Sequence, residues 1–137
     1  MKPIRYFSHK QTVWYNVVDY VRLLIDTKTI WAIRPADPGK RKRQPKSAEQ
    51  IILARLNRLS SVYQLRVNQE VYADWVIFEH LYRLLKPFMV RTDDWANPDG
   101  LIWQTQQFID RSKRLGQSVD PSAIAPYFNE IHPGKLD

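Results

Sequence analysis

Between Val71 and Pro87 the apolar residues fall on a helical period. Val71, Trp75, Phe78, Tyr82 and Leu85 recur at i, i+4, i+7, i+11 and i+14, the spacing of one α-helical face. Ile77, Leu81 and Leu84 make a second apolar row beside it. A face this wide predicts a helix at the centre of a bundle, with neighbours on more than one side. Pro87 cannot continue a helix and ends it. A first helix is expected from His9 to Asp26. Ser8 and Gln11 offer a capping box, and Trp14, Val17, Val18, Val21, Leu24 and Ile25 supply the buried face. A strand over Thr12–Val18 is the alternative there, but the helical period continues to Ile25.

Ser47 with Gln50 is a second capping box, and it opens a helix whose stripe is Ile52, Leu56, Leu59 and Tyr63. Ser60-Ser61 ends or bends this helix. Val62–Glu70 then reads as a turn of helix or a connector. Asn97 as N-cap and Pro98 as first residue predict a further helix, with Leu101, Ile102, Thr105, Phe108, Ile109 and Leu115 inward and Gly116 as its stop. Asp120-Pro121 starts a short last helix containing Ile124. Ile30–Ile33 is an apolar run that suits an extended segment laid across the bundle. No internal repeat stands out in the sequence. The expectation is an all-α chain: a compact bundle of about five helices forming one domain over residues 1–137. It carries one long Pro-containing loop at 34–46 and a tail at 132–137 that frays.

Charge changes this picture more than bulk composition does. The net charge is +7, but residues 1–46 hold eleven Lys and Arg against three Asp, a net of +8. The remaining residues therefore sum to −1. A localised excess of this kind suits a polyanion. Lys40, Arg41, Lys42, Arg43 and Lys46 form its centre, on a loop free to follow a phosphate backbone. Arg55 and Arg58 lie just beyond, on the next helix. Gln104, Gln107, Arg111 and Arg114 form a polar row at helical spacing, with Lys113 nearby. Amides and guanidiniums suit phosphate, sugar and base-edge contacts. Trp31, Trp95 and Trp103 are candidate stacking platforms for unpaired bases, but Trp usually buries most of its surface, which favours reading them as core or interface residues.

Signals for catalysis or cofactors are missing from the sequence. The three histidines, His9, His80 and His132, are far apart, and no metal-ligand spacing or glycine-rich phosphate loop is present. A small enzyme built on His80, Glu79, Asp93 and Asp94 is the weakest reading. The expectation is a non-enzyme without metal or cofactor. No run approaches the ~20 apolar residues of a membrane helix. The N-terminal residues lack the pattern of a signal peptide. The absence of Cys fits the cytoplasm.

The core row Trp75/Phe78/Tyr82/Leu85, the basic loop Lys40–Lys46 and the row Gln104/Gln107/Arg111/Arg114 together make the chain resemble the small subunit of class 1 (type I) CRISPR effector complexes, or the C-terminal helical domain of their large subunit. That resemblance implies a helical-bundle subunit of an RNA-guided, Cascade-like ribonucleoprotein acting in antiviral defence. It implies contact with the backbone of a guide RNA–target DNA duplex or a displaced strand, and with other subunits of the complex. The alternative is a protein–protein adaptor with an aromatic docking surface, its basic loop serving solubility.

Overall fold

The chain opens not with a helix but with a β-hairpin. The structure, a computed structural model, describes residues 2–33, 46–59, 61–91 and 96–136. Strand β1 (Ile4–His9) pairs antiparallel with β2 (Thr12–Asn16), Tyr6 opposite Tyr15 and Phe7 opposite Trp14. Lys10 and Gln11 join them with φ of 50° and 65°. Two consecutive left-handed residues make the tight turn whose twist matches a hairpin. Helix α1 (Val17–Asp26) follows directly. Asn16 caps it, its Oδ1 accepting from the Asp19 amide at 2.9 Å.

The motif then recurs. After α2 (Ala48–Asn57), β3 (Gln64–Val67) and β4 (Glu70–Ala73) form a second hairpin. Its turn, Asn68 and Gln69, is again left-handed, with φ of 51° and 67°. Asp74 caps α3 (Trp75–Leu85), accepting from Val76 and Ile77 amides. The turns Lys10 and Asn68, and the caps Asn16 and Asp74, are both 58 residues apart. The two hairpins meet where β2 and β4 pair antiparallel, Tyr15 opposite Ala73. Helix α4 (Leu101–Leu115) and β5 (Phe128–Glu130) complete the fold, β5 lying parallel to β1. The sheet order is β3-β4-β2-β1-β5.

The expected all-α bundle is therefore corrected to a mixed α/β fold with a five-stranded sheet. The reason lies in burial on both faces. Ile4, Tyr6, Tyr15, Ala73 and Phe128 face the helices, while Phe7, Trp14, Val67 and Tyr72 build a second cluster on the opposite face. A strand covered on both sides loses the apolar/polar alternation that announces it. Trp14-Tyr15-Asn16, all buried, reads as an unbroken run. Ser8 and Gln11 are strand and turn, not a capping box, and Val71 lies on β4 rather than on the central helix. Trp75 is only partly buried against the core.

The Ser47–Gln50 capping box is present, and Gly116, with φ of 67°, ends α4 in the left-handed conformation as expected. The start of α4 shifts: Gly100 is the N-cap, while Asn97 closes a local turn by accepting from the Asp99 amide. Asp120-Pro121 opens a single 3₁₀ turn, with the Asp120 carboxylate accepting from the Ser122 amide. Residues 131–136 cross beneath the second face. The Ile131 amide donates to the Tyr6 carbonyl, and Leu136 bridges Val67 on β3.

Two side chains fasten the layers. Tyr15, fully buried, has ring contacts with Tyr6, Phe78, Phe108 and Phe128 at centroid distances of 5.1–6.4 Å. Its hydroxyl donates to the Val119 carbonyl at 2.7 Å. Arg5 grips two carboxylates. Its Nε and Nη2 donate to Asp19 at 2.7 and 3.1 Å, and its Nη1 and Nη2 to Glu70 at 2.6 and 2.7 Å. These bonds, Asp19 first, raise the guanidinium's affinity for its proton, and they tie β1 to α1 and β4.

Three measurements test this account. Tyr15→Ala is expected to cost about 3–5 kcal/mol by emptying the centre of the core. Tyr15→Phe should cost about 1–3 kcal/mol by leaving the Val119 carbonyl without its donor. Urea unfolding of both variants checks the order. Replacing Lys10-Gln11 by Asn-Gly should raise stability by roughly 1 kcal/mol, since Lys and Gln resist the left-handed region that Asn and Gly accept; an unchanged midpoint would mean the turn is not strained. Third, burial raises the phenol pKa of Tyr6, Tyr15, Tyr20, Tyr72 and Tyr82 above the ordinary 10.0. Above about pH 10 the unfolded chain therefore holds fewer protons than the folded one, and stability falls as pH rises. A circular-dichroism titration from pH 8 to 12 should show cooperative alkaline unfolding.

Candidate nucleic-acid interface

The segment after α1 builds the candidate site. Lys28 takes a left-handed φ of 58°, turning the chain back along the core. Ile30, 2% exposed, then bridges Met89. On either side of that bridge the Val90 amide donates to the Thr29 carbonyl at 3.0 Å, and the Trp31 amide to the Phe88 carbonyl at 2.6 Å. Extended backbone alternates its side chains, so Thr29 and Trp31 point away from buried Ile30. Trp31 is 47% exposed and Ile33 53%.

Two features flank this ridge. At one end is a cleft of about 440 Å³, lined by Thr27, Lys28, Thr29, Arg91, Asn97 and the first residues of α4. Lys28 and Arg91 are exposed and have no carboxylate partner among the described residues. At the other end Ile33 bridges Ser47, and the Ala48 amide donates to the Ala32 carbonyl at 2.9 Å. That bridge brings residues 32–33 and 47–48 together.

Lys40, Arg41, Lys42 and Arg43 lie outside the described residues, as do Asp93, Asp94 and Trp95. Lys46 is exposed just before the Ser47 cap of α2. Arg55 and Arg58 are exposed at the end of α2, about 10–15 Å along the helix axis from its start. Gln107, Arg111 and Arg114 are exposed on α4. Gln104 is half-buried, its amide donating to the Pro98 carbonyl at 3.5 Å. Arg111 and Arg114 stand roughly 15–20 Å along α4 from the cleft, so this pair forms a separate basic patch. Lys113 is paired: its Nζ lies 2.5 Å from Glu79, a carboxylate it shares with Arg83 at 3.1 Å. The same bonds engage Glu79, the carboxylate beside His80. Trp103 is half-buried.

The sequence alone does not point to Lys28 or Arg91. They are distant in the chain and meet only through the Ile30–Met89 bridge. The one local hint is the polar run Asp26-Thr27-Lys28-Thr29 before an apolar segment. No helix is long and apolar enough to cross a membrane among the described residues. Compared with known proteins, the chain matches no family model, no curated protein and no solved structure.

Proposed function

We propose that the protein is a non-catalytic nucleic-acid-binding module that grips a phosphate backbone. The observation carrying this reading is the Ile33–Ser47 bridge. It sets Ser47, next to exposed Lys46, against Ile33, two residues from half-exposed Trp31 and, beyond it, a cleft edged by Lys28 and Arg91; the sequence between Ile33 and Ser47 also carries Arg34, Lys40, Arg41, Lys42 and Arg43. Cations near phosphates bind by releasing counterions and need no base recognition. An RNA-guided ribonucleoprotein is one assembly in which such a module would act. The sequence resemblance to class 1 CRISPR small subunits implied a helical bundle, which the sheet replaces, so the proposal rests on the charged surface instead. A second reading, docking to a protein partner, draws on exposed Val62 and Tyr63 just before β3.

Binding of a mixed-sequence oligonucleotide across a salt series tests the proposal. Alanine at Lys40, Arg41, Lys42 and Arg43 together should leave folding intact and flatten the log–log salt slope by up to about 3–4 units. Arg111→Ala with Arg114→Ala should lower affinity, whereas Lys113→Ala should change little because Glu79 already holds that ammonium. Salt-independent binding, or equal binding by all variants, would move the protein-docking reading ahead.

A further inference from the structure

The geometry points to single-stranded nucleic acid as the ligand, with an unpaired base stacked on Trp31 while a neighbouring phosphate sits between Lys28 and Arg91. This rests on the nucleic-acid reading and narrows it to one class of strand and one place.

The argument starts from the exposure of Trp31. An indole normally buries most of its surface. Here 47% of the residue is open, although its backbone is pinned by the 2.6 Å bond to Phe88 and its neighbour Ile30 is locked in the core. The backbone that carries the ring is thus held by the Ile30–Met89 bridge. An exposed ring on rigid backbone is what base stacking uses, and it tolerates any base because each has a π-face. In a duplex those faces are covered by neighbouring base pairs. Only an unpaired base offers one.

The phosphate position follows from spacing. Trp31 and Thr29 share one side of an extended segment, about 6–7 Å apart. Thr29 lines the cleft that Lys28 and Arg91 border. A base over Trp31 therefore carries its backbone toward two cations without carboxylate partners among the described residues. The Asn97 side-chain amide lies on the same walls, able to donate to phosphate or sugar oxygens, while the Thr27 hydroxyl donates to the Leu23 carbonyl and is paired with the Thr29 hydroxyl. At about 440 Å³ the cleft is within the range of small-ligand sites. The same strand, continuing past Trp31, meets the Ile33–Ser47 bridge and exposed Lys46 beside it. Ribose and deoxyribose strands share this chemistry, so both belong in the test.

The test compares twelve-residue oligodeoxythymidylate and oligouridylate with a duplex of equal length at one salt concentration. The wild-type chain should prefer both single strands over the duplex. Trp31→Ala should lose about 5- to 150-fold in single-strand affinity, the range for removing one stacked base, while duplex affinity stays the same. Trp31→Tyr should recover most of the loss. Lys28→Ala with Arg91→Ala should weaken single-strand binding and reduce its salt slope. Thermal melts confirm that each variant is folded. If the wild type binds in a salt-dependent way but Trp31→Ala binds single strands equally well, the stacking inference is wrong and backbone binding stands. Equal losses on single strand and duplex overturn it too. If the folded wild type binds no nucleic acid, both readings fall together.

Discussion

Everything else in this fold leans on the position of Tyr15. Its backbone lies at the seam where the two hairpins pair, opposite Ala73. Its ring touches β1, α3, α4 and β5 through Tyr6, Phe78, Phe108 and Phe128, and its hydroxyl reaches the Val119 carbonyl in the segment before β5. A small residue opposite is what leaves room for that ring, since directly opposed side chains on one sheet face crowd each other. Burial also favours the neutral phenol, which keeps its proton for Val119. Removing the ring would therefore separate strands from helices and helices from one another, which few single side chains in a core can do.

Around that centre the architecture follows from geometry rather than propensity. Two hairpins, each leading straight into a side-chain-capped helix, face each other across the β2–β4 seam. Arg5 reinforces one end by joining Asp19 and Glu70, which lie on different repeats of the motif. Asp19 is 8% exposed, so it needs this partner: a buried carboxylate without one is costly. The candidate interface lies elsewhere, along the ridge after α1. The core thus carries the load of stability while the ridge leaves an indole and two cations open to solvent.

The helices were largely legible in the sequence because each keeps a polar face. Phe78, Leu81, Tyr82 and Leu85 repeat at helical spacing, and Ser47–Gln50 and Gly116 mark helix ends with the chemistry those ends require. The sheet was not. Its strands are short, the first hairpin is buried on both faces, and neither hairpin turn contains glycine. Lys10-Gln11 gives no turn signal, and Asn68-Gln69 gives a weak one. Val17 and Val18, continuing from β2 into α1, blur that boundary further. The candidate site was half legible. Charge density marks segment 34–46 from any distance, but Lys28 and Arg91 come together through a tertiary bridge that local patterns do not encode.

The parallel pairing of β5 with β1 sets an order on how the molecule is made. Ile4, Arg5 and Tyr6 lie opposite Phe128, Asn129 and Glu130, so the outer edge of β1 has no partner in the sheet until residues 128–130 exist. During synthesis the first hairpin and both capped helices emerge early, yet the sheet cannot close until residue 130 clears the ribosome. Local hairpins form within microseconds, whereas elongation proceeds at about 5–20 residues per second. For seconds, then, each nascent chain carries an open edge with Ile4, Tyr6 and Phe7 beside it. Crowded polysomes, rather than the finished protein, are where this sequence is most exposed to misassembly, and slow synthesis or a chain truncated before β5 would prolong that exposure.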